Sequence, residues 1–164
     1  MIQINRWLKP GHYTIADIFP DLINMPILSE IFRSQQEIEN VFANTKVIIV
    51  NQRHEMSVAN QDGTISIGLS YIQRSDTATL YLDIIHELVH VRQHRDGLDL
   101  YDSKKSYVDR PTEIDAYRLT VKEARRIKFT QDQILDYLRV DWISSEEHQR
   151  LAIKLKVITK PNEP

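Results

Sequence analysis

The sequence predicts an α+β fold in which a small mixed or antiparallel sheet packs on one long buried helix, with additional helices before and after it. Three observations carry this expectation. TKVIIV (45–50) is short and β-branched, as a buried strand is. TISIGLSYI (64–72) alternates, with Ile65, Ile67, Leu69 and Tyr71 on one face and small residues on the other, which reads as a half-buried strand. From Thr77 to about Asp96 the period changes: Leu80, Ile84, Leu88 and Val91 form one apolar stripe and Leu82, Ile85 and Val89 a second. A helix apolar around most of its circumference is buried, so the polar row between the stripes must face something inside the fold.

The remaining elements follow in order. Residues 15–42 read as helices interrupted at Pro20 and Pro26, with Ile27, Ile31, Ile38 and Phe42 near helical spacing. EMSVAN (55–60) is short enough to pair as a strand, and Gln61-Asp62-Gly63 is a turn signal. Gly97 is a natural stop just past the end of the long helix. A polar loop leads to Pro111, where another helix begins and runs to about Lys128. TQDQILDYLRV and SSEEHQRLAIKLKV read as two short amphipathic helices, and TKPNEP as a frayed tail.

A chain of 164 residues is the length of one ordinary domain, taken here as residues 1–164. The absence of cysteine excludes disulfides, thiolate zinc sites and cysteine nucleophiles, so any metal must be held by His, Asp or Glu. A formal charge of −2, with mixed charges in the C-terminal segment, gives no support to a nucleic-acid partner. MIQINRWLKPGHYTI has no apolar run of signal-peptide length, and no stretch approaches a transmembrane span, so the expectation is a cytoplasmic protein without a membrane partner.

The chemistry lies in the buried helix. His86-Glu87-Leu88-Val89-His90 is an H-E-x-x-H pattern. Residues i and i+4 share a helix face, so both imidazoles can reach one Zn²⁺ at about 2 Å, and Glu87 points beside the metal, where it can take a proton from water. His94 cannot join His86 on the same ion, because eight residues of continuous helix span about 12 Å. A favourable charge at the helix end is the better account of it.

The third ligand must come from a later element, and YVDRPTEIDAYR (107–118) supplies two carboxylates. Glu113, 23 residues beyond His90 (113 − 90), is the better placed, with Asp115 the alternative. The two face opposite sides, and Thr112-x-x-Asp115 fits a capping box. Ala116 shares a face with Glu113 and would let that helix approach closely. Asp83, one turn before Glu87, is a candidate supporting carboxylate.

HELVH followed by RPTEIDAYR resembles the zincin metallopeptidases, specifically the gluzincins, whose zinc is held by two histidines and a glutamate. The resemblance covers residues 60–128, with 129–164 a further helical segment. It is greatest to small stand-alone proteins such as the minigluzincins, and more distant to the ImmA/IrrE group, from which Asp115-Ala116-Tyr117 departs. It implies a zincin-like fold and zinc-dependent hydrolysis of a peptide or protein substrate. Glu87 would be the general base, His86, His90 and Glu113 the ligands, and TISIGLSYI the edge strand along which substrate lies. The oxyanion needs a further donor. Tyr107 and Arg110 are the candidates placed with Glu87 in the catalytic set, and His94 and Tyr117 lie in the same stretch. The rival expectation is a regulatory or latent zinc-binding protein of this fold that holds a partner without turnover, its C-terminal segment covering the cleft.

Overall fold

The structure, a computed structural model, describes residues 2–160. Strand β1 (Gly11–Tyr13) leads into a run of short helices, α1 (Ile15–Ile18), α2 (Leu28–Ile31) and α3 (Gln35–Asn44), with a 3₁₀ turn at Leu22–Asn24. Thr14 and Asp17 close a capping box at the start of α1, and Ser34 accepts from the Glu37 amide at the start of α3. The prolines separate these helices as expected. Strand β1 was not anticipated, because its three residues carry no apolar alternation.

Strands β2 (Val47–Val50), β3 (Met56–Val58) and β4 (Ile65–Gly68) complete a sheet of order β1-β2-β4-β3. β2 and β4 are parallel, and the outer pairs are antiparallel. Val47, Ile49, Val58, Ile65 and Ile67 are buried on the inner face. Ile48, Ser57 and Ser66 align across the other face, which is only partly covered.

TISIGLSYI is not one strand. Only Ile65–Gly68 is extended, and Leu69–Arg74 forms helix α4. The reason lies at Gly68, where a Cβ would stand 1.9 Å from the carbonyl oxygen of His54. The chain preceding β3 crosses there, so β4 ends and the backbone turns. β4 is also interior, between β2 and β3, so the edge expected of TISIGLSYI belongs instead to β3.

Helix α5 (Thr77–Arg95) runs beneath the sheet, capped by Asp76 on the Thr79 amide. Both of its predicted stripes are buried, and residues of this size contribute about 1.5–3 kcal/mol each when fully removed from water. Gly97 follows it with φ 80°, in the left-handed position that closes the helix. Helix α6 (Pro111–Arg126) packs along α5, with Ala116 fully buried. The Thr112–Asp115 capping box does not form: the helix starts with Pro111 at its first position and no side-chain cap. Thr112 instead donates to the Leu100 carbonyl at 3.4 Å.

Helices α7 (Gln131–Tyr137) and α8 (Ser145–Lys154) both open with capping boxes. α8 is pinned by Asp109, which accepts from Arg150 at 2.9 Å and from Lys154. The tail expected at TKPNEP lies outside the described residues beyond Lys160. Among the described residues no helix is long and apolar enough to cross a membrane.

Two outcomes follow. Gly68→Ala forces the His54 backbone away and lowers stability by about 1–3 kcal/mol or more, measured by urea denaturation. The Asp109 carboxyl is held well below its ordinary 3.8 by Lys154 first, then Ser106 and Arg150. A depressed folded pKa means that its stabilisation is present above 3.8 and is lost as pH falls through the folded value. The pair is solvent-screened, so the loss is about 1 kcal/mol or less. Acidification from pH 5 should loosen α8, read as a change in Trp142 emission, and Asp109→Asn should show that change already at neutral pH.

Candidate metal centre

Helix α5 places His86 and His90 one turn apart on the side facing α6, and the first turn of α6 brings Glu113 against them. All three side chains are buried. His86 Nε2 lies 3.0 Å from His90 Nε2 and 3.2 Å from Glu113 Oε2. His90 Nε2 lies 3.4 Å from the same carboxylate oxygen. Three donors therefore converge on one point and are close enough together to bind a metal ion. Tetrahedral ligands about 2.0–2.1 Å from a zinc ion stand roughly 3.3–3.4 Å from one another, so the donor set fits that ion in chemistry and spacing.

The centre is held by a residue that sequence reasoning missed. His90 Nδ1 lies 2.7 Å from Gln93 Oε1. Gln93 Nε2 donates to the Thr112 carbonyl at 2.9 Å and to Asp115 at 3.0 Å, which orients its oxygen toward the imidazole. Accepting the Nδ1 proton leaves Nε2 as the ligating nitrogen. The signal was present: Gln93 is a polar residue three after His90, hence on its face of an otherwise apolar helix. Asp115, the alternative third ligand, points away from the cluster and accepts from Arg92 as well as Gln93.

The electrostatics belong to a buried charged group. Burial raises the Glu113 carboxyl, but hydrogen bonds from His86 and His90 outweigh it and hold the group well below the usual carboxylate range. Burial lowers His86. His90 is pushed the other way, to about 9: burial is overcome by the Glu113 hydrogen bond and by the charges of Glu87 and Glu113. Burial lifts the Glu87 carboxyl to about 8, against a charged His90 and with Glu113 and Asp83 adding to it. Glu87 Oε2 and His86 Nδ1 are buried without a hydrogen-bond partner among the described residues. An unpaired buried carboxylate oxygen costs free energy, and such atoms are characteristic of functional sites.

A cavity of about 910 Å³ opens on the cluster and is lined by Glu87, Tyr107, Arg110 and Tyr117, among others. The Tyr107 and Tyr117 hydroxyls are 2.8 Å apart, and the Tyr117 ring stands edge-on to His86 with centroids 4.4 Å apart. Arg110 donates through Nε to the Asp102 carbonyl at 3.2 Å. His94 is elsewhere: its ring fills the space beside Gly63 on the β3–β4 turn, so it is no oxyanion donor.

Asp83 does not contact His86. It accepts from Tyr71 and, at 2.8 Å, from Tyr137, and burial raises it to about 6 against those two bonds. It thus joins α7 to α5 across the cavity, whose far wall includes Tyr137, Val140 and Trp142 of the C-terminal segment. Comparison with known proteins finds no family model that matches the chain, no similar curated protein and no similar solved structure.

Gln93→Ala is expected to weaken metal binding about 10–100-fold, and Gln93→Glu, which sets a carboxylate oxygen against the Thr112 carbonyl and Asp115, is expected to weaken it as well. Competition against a chromophoric chelator measures both.

Proposed function

We propose that the chain is a zinc-dependent peptidase of zincin-like, gluzincin type, with His86, His90 and Glu113 as ligands and Glu87 as general base. The observation that carries this reading is the meeting of two imidazole nitrogens and a carboxylate oxygen at tetrahedral spacing, beside a buried carboxylate without a hydrogen-bond partner at Oε2.

When bound, zinc supplies Lewis-acid chemistry, withdrawing charge from a carbonyl oxygen and making water more acidic. The residues divide the remaining work. Glu87 takes the proton of the attacking water and delivers it to the leaving amine. Gln93 fixes the tautomer of His90. Of the paired Tyr107 and Tyr117 hydroxyls, one proton is used between them, and the other is available to an oxyanion in the cavity. Arg110 has its Nη groups free for the same purpose, since only Nε is engaged within the described residues. The substrate is a peptide: the cavity is walled on one side by the edge strand β3, through Met56 and Ser57, and an extended chain can add there.

Zinc-loaded Glu87→Gln should keep its metal and lose about 10²–10⁴-fold in turnover of a peptide library, and chelation of the wild type should abolish cleavage. A wild type without stoichiometric zinc would sink the reading. Zinc in both proteins with cleavage by neither would leave a binding protein instead.

A further inference from the structure

Among the described residues, the edge of β3 is left open at Met56 alone. Gly68 N donates to Glu55 O, and Ala59 N donates to Thr64 O, each at 2.9 Å. With the register Ser57↔Ser66, these bonds turn residues 55, 57 and 59 toward β4 and turn the amides and carbonyls of Met56 and Val58 to the free edge. The Val58 carbonyl is already taken, because the Tyr101 hydroxyl donates to it. Met56 has no such partner, and its amide and carbonyl face the cleft unengaged by any side chain of the described residues.

Tyr101 is held in that position by its loop. Asn60, in the β3–β4 turn, accepts from the Leu100 amide at 3.2 Å and donates to Asp99 at 3.1 Å, while Asp99 also accepts from the Tyr101 amide at 3.1 Å. The neighbouring Leu100 is buried. The ring stands between two cavities, the large one over the metal centre and a smaller one along Val58–Asp62, and lines both. It is a bar across the strand.

We propose that Tyr101 is a specificity-determining stop that confines the cleft to peptides presented by their N-terminal end. This rests on the peptidase reading above. A single open residue can exchange both of its hydrogen bonds with one partner residue only in antiparallel pairing, since parallel pairing spreads them over two partners. In that direction the substrate residue opposite Met56 has its N-terminal neighbours running toward Val58. The residue two earlier would need the carbonyl that Tyr101 occupies, and strand spacing of about 3.3 Å per residue places the phenol only about two residues away. On the other side the cleft extends along His54 and Arg53, which line it.

The test uses the heptapeptide best retained from a random mixture by zinc-loaded Glu87→Gln protein, then extends it by one to four alanines at either end. Extension at the N-terminus should weaken binding at least about tenfold, and should lower kcat/KM on wild type equally, while C-terminal extension changes neither. Tyr101→Phe, which frees the carbonyl, should relieve part of the penalty, and Tyr101→Ala should remove it with zinc content unchanged. Equal tolerance of both extensions, a penalty at the C-terminus, or a penalty that survives Tyr101→Ala overturns the stop. So does failure to retain any peptide. Length-selective binding without cleavage by wild type supports the stop and removes the peptidase reading, so the two can fail separately.

Discussion

The Glu113 carboxylate is buried between the imidazoles of His86 and His90, and the placement of α6 against α5 depends on keeping those three groups together. A lone buried carboxylate would cost several kcal/mol, and removing either partner leaves an uncompensated charge. The fold meets this constraint by close helix packing. Ala116, whose side chain is only a methyl group, is fully buried one turn after Glu113. Gln93 ties the Thr112 carbonyl at the start of α6 to His90 on α5, so one amide serves both the helix contact and the imidazole.

Around this pair the protein spends its polar groups on position. Asp115 holds Arg92 and Gln93, and Asp83 holds Tyr71 and Tyr137. Each carboxylate is engaged away from the cluster, which leaves Glu87 as the carboxyl whose Oε2 is buried at the centre without a partner among the described residues. The same division explains the cavity walls. One is the sheet edge, one is the long helix, and one comes from residues past α6, brought in by Asp83 through Tyr137 and anchored at α8 through Asp109.

Much of this was legible in the residues because it depends on local spacing. His86 and His90 are four apart, a relation that any helix converts into a shared face. The stripes of α5, the helix stop at Gly97, the β-branched strand at Val47–Val50 and the helix beginning at Pro111 are likewise written in short-range patterns. Where the reading failed, a distant contact had overridden the local one. The alternation through Leu69 and Tyr71 gave way because the His54 backbone crosses Gly68, and the Thr112–Asp115 capping box gave way because Asp115 found Arg92 and Gln93.

The sequence by itself determined that a buried helix presents two imidazoles and a glutamate on one side, since helical periodicity requires no knowledge of the rest of the chain. Only the tertiary structure decided that Glu113 rather than Asp115 completes the cluster, that β3 rather than β4 forms the edge, and that Tyr101 occupies that edge at Val58. Those outcomes depend on how separate elements dock. Docking is settled by packing and by the pairing of buried polar groups across long stretches of chain, which no window of neighbouring residues contains.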